Sequence, residues 1–263
     1  MRQSCAYQIG QLLESQGHRV THLFGVRSAV IADLCCIHVD LSKVPQKYTD
    51  QAAKIAPIVL NGKITDLHKS RISSLRVDRD YAGEVILKTN LNAYGSPERW
   101  HRMASGFRVL PVVRKGYPVF PSARAVPEPL WQSSDFIVER YVREDNSLEG
   151  EYSVHSLFCS GADVSAIRFV STSKNAKATG SLRIEPAEVT RELLQVRKER
   201  NLDFGKLDYL IEDGKTHLID VNKTPGKLPI DKGPRHQREQ VRARLEHRTA
   251  GLLDALEGRW TPF

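Results

Sequence analysis

The chain has 263 residues, of which 40% are hydrophobic and 27% are charged. This composition excludes wholesale disorder and a disulfide-stapled miniprotein, and the length allows one or two domains with a substantial core. The formal net charge of +8 favours anionic partners, namely nucleotides, acidic substrates or nucleic acid.

The cysteines and the apolar stretches indicate the compartment. The four cysteines form no CxxC pair and no zinc spacing, and the adjacent Cys35 and Cys36 lie in an apolar run typical of buried packing. The longest apolar stretch, residues 26–39, is interrupted by Arg27 and Asp33, and the first ten residues lack an apolar signal core. We therefore expect a soluble, cytoplasmic protein.

The first third of the chain predicts a small layered α/β unit. A helical apolar period starts at Cys5 and ends before Gly17, and a strand is predicted over residues 19–24. Two short apolar runs, residues 34–39 and 56–60, flank a predicted helix over residues 46–54. Such alternation is typical of parallel strands, although the strand that normally opens such a unit is missing.

The rest of the chain predicts mostly antiparallel strands. Strands are expected over residues 83–88, 109–113 and 136–142, with a helix over 97–105. Hairpins are expected around Ser160-Gly161 and around Asp213-Gly214, with a helix over 186–198 between them. A charged terminal helix is expected after Pro229.

The most informative segment is KLDYLIEDGKTHLIDVNKTPG, residues 206–226. Asp220 and Asn222 lie two apart on one predicted strand and must share a face, while Asp208 lies on its partner. A two-residue loop would send Asp208 and Asp220 to opposite faces, whereas a three-residue loop with a bulge would bring them together. Three oxygen donors on one face would suit Mg²⁺, and the alternative is an ordinary exposed hairpin.

Basic residues form a second group of candidates. Lys88 ends an apolar strand, and Lys69 lies in DLHKSRISSL, so each could reach a phosphate as a point charge. Most lysines in so basic a chain are solvated surface residues, which is the competing interpretation for either one. No GxxxxGK[ST], GxGxxG or GxSxG pattern occurs, which disfavours a P-loop, a dinucleotide fingerprint and a serine nucleophile.

A third region could hold a nucleotide base. The strand VERYV, residues 138–142, could present backbone groups to an adenine edge, and the polar stretch after it could reach a ribose. Residues 171–180, STSKNAKATG, could form a phosphate loop or an ordinary surface loop, and Arg168 and Arg183 flank it.

The ordered set of Lys69, Lys88, VERYV and the 208–222 hairpin resembles the ATP-grasp superfamily. The resemblance covers residues 34–228 and is closest to the branch of glutathione-synthetase-type and ribosomal-protein glutamate ligases, among bacterial proteins of unassigned substrate. It implies an α+β fold of two ATP-gripping subdomains after a small Rossmann-like unit. The implied domains are 1–64 for that unit, 65–230 for the ATP-grasp domain, divided into 65–137 and 138–230, and 231–263 for a helical end.

The resemblance also assigns roles to residues. It implies phosphate contacts from Lys69 and Lys88 and magnesium ligation by Asp208, Asp220 and Asn222. The base-binding strand corresponds to residues 139–142, with Glu144 or Glu149 as the ribose contact. The cofactor-binding set is thus Lys69, Lys88, Glu139, Tyr141, Val142, Glu144 and Glu149, and the candidates for stabilising the transferred phosphoryl group are Arg168, Lys174 and Arg183.

Two departures bear on activity. The glycine-rich loop expected after Lys88 is reduced to TNLNAYG, and Asp220 replaces the family's usual glutamate. The resemblance implies an ATP- and Mg²⁺-dependent carboxylate–amine ligase that forms an acylphosphate and takes an unknown small-molecule or peptide acceptor. An ATP-grasp kinase and a catalytically silent nucleotide-binding module are the alternatives, and the lack of aromatic-studded motifs disfavours nucleic acid.

Overall fold

The computed structural model describes residues 4–27, 30–104, 117–145, 147–173, 181–228 and 235–263. The described helices are α1 (Cys5–Ser15), α2 (Gln46–Ile55), α3 (Lys69–Ile72), α4 (Ser96–Ala104), α5 (Glu128–Gln132), α6 (Arg191–Glu199) and α7 (Arg235–Leu256). The described strands are β1 (Leu34–Cys36), β2 (Ile58–Leu60), β3 (Val85–Thr89), β4 (Val119–Phe120), β5 (Phe136–Arg140), β6 (Tyr152–Ser160), β7 (Asp163–Ser171), β8 (Arg183–Ala187), β9 (Phe204–Glu212) and β10 (Lys215–Asn222). Helices and sheets occur together, so the predicted α+β class is confirmed.

The N-terminal unit contains a parallel pair of strands. β1 pairs with β2 in parallel, and α2 connects them, as the alternating pattern predicted. Ala52 and Ile55 form the buried side of α2 because they lie three residues apart on one helical face. The strand predicted over residues 19–24 is wrong: this segment pairs with no strand in the described part of the chain, and the His22 ring stacks on Tyr7 of α1 at 5.2 Å.

A three-stranded antiparallel sheet follows in the order β4-β3-β5. Its β3 and β5 are the strands predicted from the apolar runs near residues 83–88 and 136–142. Val85, Leu87 and Val138 form its core with Val126. The strand predicted over residues 109–113 lies outside the described residues.

The largest sheet is antiparallel, with five strands in the order β10-β9-β6-β7-β8. Both predicted hairpins are present in it. The helix predicted from Pro186 begins instead at Arg191, where the Thr190 hydroxyl caps it, and Pro186 lies in β8. Proline is tolerated there because β8 is an edge strand and needs only one hydrogen-bonded neighbour.

The terminal helix α7 packs against the β6–β7 hairpin through two glycines. A Cβ on Gly161, whose φ is +57°, would lie 1.9 Å from the Gly251 carbonyl oxygen. A Cβ on Gly251 would lie 2.0 Å from the Ser160 carbonyl oxygen. The close approach of α7 to this hairpin therefore requires glycine on both sides. None of the helices in the described ranges is both long and apolar enough to cross a membrane.

Candidate active site

A cleft opens between the three-stranded and five-stranded sheets. β3 and the end of β5 form one wall, and β6, β9 and β10 form the other. Apolar side chains make up much of the lining, with charged groups among them, as is typical of small-molecule sites. The lining includes Leu75, Ile86, Lys88, Glu139, Tyr141, Val142, Glu144, Glu151, Val154, Leu210 and Ile219.

A buried ion pair lies across the first wall of the cleft. Lys88 of β3 pairs with Glu139 of β5 at 2.6 Å between Nζ and Oε2, and the Glu139 side chain is fully buried. Tyr141 and Val142 follow β5 and also line the cleft. Burial raises the pKa of Tyr141 to about 12, so its hydroxyl remains a hydrogen-bond donor at neutral pH, and it has no partner within the described ranges.

Glu144 lies in a buried polar network at the same cleft. Its Oε1 lies 2.7 Å from His155 Nε2, and its Oε2 lies 3.0 Å from an Arg168 terminal nitrogen. Burial alone would raise the pKa of Glu144, but hydrogen bonds from His155 and Ser153, together with the positive charge of Arg168, outweigh burial and lower it. Glu144 is therefore a carboxylate at neutral pH, with its orientation fixed by three partners.

The other predicted ribose contact, Glu149, is exposed and does not line the cleft. Glu151 lines it instead, and the Arg183 guanidinium binds both Glu151 oxygens at 2.7 Å. Glu151 could not be predicted from sequence. It lies in a polar connection without a repeating pattern, and its partner Arg183 lies 32 residues later in the chain.

The 204–222 hairpin brings Asp208 and Asp220 together, but it combines a two-residue loop with a bulge in the strand and so differs from both predicted alternatives. Its turn is a two-residue loop, with Asp213 and Gly214 both at positive φ, and Glu212 pairs with Lys215. A bulge at Ile219 then shifts the register, so Asp220 pairs with Asp208. The predicted two-residue loop and the predicted shared face therefore both occur.

Two lysines neutralise these carboxylates. Lys69 Nζ lies 3.3 Å from Asp220 Oδ1, and Lys206 Nζ lies 2.9 and 2.6 Å from the two Asp208 oxygens. Ser156 Oγ also donates to Asp208. Burial, opposed by Lys69, raises the pKa of Asp220. Lys206 was missed, although its position two residues before Asp208 on the same strand predicts a shared face.

The third predicted ligand, Asn222, lies opposite Lys206 on the same sheet face. Its Oδ1 accepts hydrogen bonds from the Thr224 backbone nitrogen at 2.8 Å and from Thr224 Oγ1 at 3.1 Å. Two carboxylates and one amide oxygen on a single face fit a hard divalent cation in their donor chemistry. In the described ranges, however, no three His, Cys, Asp or Glu side chains cluster as a metal site.

The predicted arginines lie on the other face of the five-stranded sheet. Arg168 pairs with His155, which pairs with Tyr209, whereas Ser156 pairs with Asp208. Since neighbouring residues alternate between faces, Arg168 and Asp208 project in opposite directions. Arg183 pairs with Val170 and shares the Arg168 face. The structure therefore does not bring these arginines to the Asp208–Asp220 pair, and Lys174 lies outside the described residues.

The connection after β3 has an unusual backbone. Ala93, Tyr94 and Gly95 are consecutive residues at positive φ. In the same connection, the Leu91 carbonyl oxygen accepts hydrogen bonds from Lys69 Nζ at 3.3 Å and from Thr89 Oγ1 at 3.1 Å. The short TNLNAYG segment thus ends in a left-handed turn and is held by one of the predicted phosphate lysines, rather than forming a run of glycines.

Comparison with known structures decides the fold. The sequence matches no protein-family model and no curated protein. The RimK domain ATP-grasp protein of Sphaerobacter thermophilus superposes with a TM-score of 0.51 at 10% identity, covering 96% of this chain and 94% of that one. This chain has the ATP-grasp fold. The fold recognised from Lys69, Lys88, VERYV and the acidic hairpin is therefore confirmed.

Two larger ATP-grasp proteins match over part of their length. An ATP-grasp ligase associated with ribosomally made peptides in Chryseobacterium gregarium, solved with ADP and a leader and core peptide, is 13% identical, with a TM-score of 0.39 and coverage of 68% of this chain. D-alanine–D-alanine ligase from Bacillus anthracis is 15% identical, with a TM-score of 0.37 and coverage of 66% of this chain. The present ATP-grasp chain spans about half of each, 50% and 53%.

Proposed function

We propose that the protein is an ATP- and Mg²⁺-dependent carboxylate–amine ligase that acts on a small-molecule or peptide acceptor. The observation that carries this proposal is the cleft between the two sheets. It places a buried Lys88–Glu139 pair on one wall, while the other wall belongs to the sheet that pairs Asp208 with Asp220. An apolar cleft that ends at cations and carboxylates suits a nucleotide, with its base in the apolar part and its phosphates near the charges.

The chain's own residues divide into base, sugar and phosphate contacts. Tyr141 and Val142, with Val154 and Leu210 opposite, would enclose the base. Glu144, held by His155 and Arg168, would accept hydrogen bonds from ribose hydroxyls. The neutral Tyr141 hydroxyl adds an unpaired donor among the described residues.

Lys69 and Lys88 would supply the positive charge at the phosphates. Lys88 pairs with Glu139 in the wall of the cleft, and Lys69 pairs with Asp220 of the facing sheet, so each lysine could exchange its carboxylate partner for a phosphate oxygen. The sheet face that carries Asp208, Asp220 and Asn222 would hold Mg²⁺, which would neutralise phosphate charge when bound. Positioning and charge neutralisation are the main contributions that an enzyme makes to phosphoryl transfer.

The proposed reaction has two steps. A substrate carboxylate oxygen attacks the γ-phosphorus of ATP, and ADP leaves with the electrons of the broken bond. The amine of the acceptor then attacks the acyl carbon of the acylphosphate, loses a proton and expels inorganic phosphate. Lys69 and Lys88 would neutralise the charge of the transferring and leaving phosphates in the first step.

Calorimetric titration with a non-hydrolysable ATP analogue, with and without Mg²⁺, tests the nucleotide site. We expect Mg²⁺ to tighten binding to the wild type and the Asp220→Asn variant to lose that gain, at least tenfold in Kd. Asp50→Ala, which removes an exposed carboxylate from α2, is the matched control and should bind like the wild type. Folded wild-type protein that binds no analogue would refute the proposal.

Activity is tested separately by phosphate release with a panel of carboxylates and amines. Phosphate release that depends on both a carboxylate and an amine is the expected result. Phosphate transfer to a hydroxyl compound would identify a kinase instead. Tight analogue binding without turnover on any acceptor would favour the silent module, in line with the left-handed turn at Ala93, Tyr94 and Gly95.

A further inference from the structure

The acidic hairpin contains a positively charged side chain of its own, that of Lys206. Lys206 lies on β9 two residues before Asp208, so both side chains project from the same face of the sheet. Its Nζ contacts both oxygens of Asp208, at 2.9 and 2.6 Å. Across the ladder Lys206 pairs with Asn222, so its side chain shares one sheet face with all three predicted magnesium ligands.

The charges of this group already balance. Asp208 and Asp220 contribute two negative charges, and Lys206 and Lys69 contribute two positive charges. The four side chains are shielded from solvent, with exposed fractions of 24% for Lys206, 16% for Asp208, 21% for Asp220 and 5% for Lys69. A divalent ion that bound Asp208 would therefore meet an ammonium that occupies the same oxygens, with little water between them to screen the repulsion.

The surroundings of Asp208 leave little room for another ligand. Ser156 Oγ donates to Oδ1, the oxygen that also accepts from Lys206. On the opposite face, Leu207 and Tyr209 are part of the hydrophobic core, so the backbone at Asp208 is fixed by packing. Asp220 differs, because its contact with Lys69 is longer, at 3.3 Å, and involves only Oδ1.

We propose that the Lys206 ammonium takes the place of a metal ion at Asp208, so that the site binds a single divalent ion, held by Asp220 and Asn222. This inference rests on the proposed function for its nucleotide, but the metal chemistry can be tested without one. Lys206 is then the residue that sets the metal stoichiometry of the site.

The first experiment titrates Mn²⁺ alone into nucleotide-free protein and follows free Mn²⁺ by electron paramagnetic resonance. Lys206→Met keeps the length of the side chain and removes its charge, so we expect it to bind Mn²⁺ at least tenfold more tightly than the wild type. Lys206→Arg, which keeps the charge, should behave like the wild type. So should Lys215→Ala, which removes an exposed lysine at the other end of the hairpin. Equal Mn²⁺ affinity in Lys206→Met and the wild type would overturn the proposal.

A second measurement needs only the wild type and so does not depend on a variant that folds. Mn²⁺ is counted per chain at saturating ATP analogue, where one bound ion is expected. Two bound ions would overturn the proposal. If the analogue does not bind at all, the proposed function fails, while the nucleotide-free comparison still decides the role of Lys206.

Discussion

His38, in the connection after β1, is a half-buried base whose Nε2 is shielded from solvent and has no hydrogen-bond partner among the described residues. Burial, together with the positive charge of Lys223, lowers the pKa of His38 to about 4. In the unfolded chain the same imidazole would titrate near its usual pKa of about 6.5. Between these two values the unfolded state binds the extra proton, so the folded state loses stability as pH falls.

Replacing His38 should therefore flatten the pH dependence of stability. His38 contributes stability that is fully present above pH 6.5 and disappears as pH falls towards about 4. The change could reach about 3 kcal/mol, since each pKa unit corresponds to about 1.4 kcal/mol. Urea unfolding of the wild type and His38→Gln at pH 7.5, 5.5 and 4.5 measures it. A slope that is the same in both proteins would contradict this account.

At the scale of elements, the contact between α7 and the β6–β7 hairpin should be very sensitive to volume. Gly251→Ala places a methyl group 2.0 Å from the Ser160 carbonyl oxygen, so the helix must move away from the hairpin. We expect a loss of about 2 kcal/mol, as for other overpacked cores. Gly226→Ala is the control, since nothing lies within 4 Å of a Cβ there. Thermal unfolding of both variants checks the prediction, which fails if they are equally stable.

The elements that sequence predicted well are those with strong local signals. The Asp213-Gly214 dipeptide located its hairpin, and the apolar period from Cys5 located α1, because turn residues and helical spacing act over a few neighbours. Residues 19–24 contain residues that favour strands, but they pair with no strand among the described residues. Pro186 was assigned to a helix start because proline is also accepted there, and only the sheet order identifies it as an edge-strand residue.

For the whole molecule, one buried asparagine links the N-terminal unit to the five-stranded sheet. Asn61 follows β2 at φ +60° and is fully buried. Its backbone nitrogen donates to Asp203 Oδ2 at 2.6 Å, and its side-chain amide donates to the Phe204 carbonyl at 2.9 Å. Asn61 Oδ1 accepts from the backbone nitrogens of Asp203 and Phe204 at 3.2 and 3.1 Å.

Asn61→Ala should destabilise the protein strongly, because it leaves buried backbone groups at Asp203 and Phe204 without partners. We expect a loss of about 3 kcal/mol from these hydrogen bonds and from the positive φ together. Asn201→Ala separates the two effects, since Asn201 also has positive φ, at 52°, but is only partly buried. Denaturant unfolding should show a larger loss for Asn61→Ala, and equal losses would assign the whole effect to backbone strain.

The site could be predicted from sequence only as a set of separate parts. Lys69, Lys88 and the acidic hairpin were recognised by type and order, and the ATP-grasp fold follows from them. The partners of these residues depend on which strands are neighbours. For this reason the Glu151–Arg183 pair and the opposite orientation of Arg168 became apparent only with the fold, whereas the spacing of Lys206 from Asp208 already predicts their shared face.

The bulge at Ile219 makes the position of the Asp220 side chain depend on the register of the strand as well as on residue identity. The carboxylate of Asp220 reaches the cleft face because one additional residue separates it from the turn. In a hairpin of the same length without the bulge, Asp220 would pair with Leu207 and direct its carboxylate into the hydrophobic core. A substitution at position 219 that favoured a regular strand would therefore separate the acidic pair although all three proposed ligands were retained, and comparing the ligand positions alone would overlook this loss.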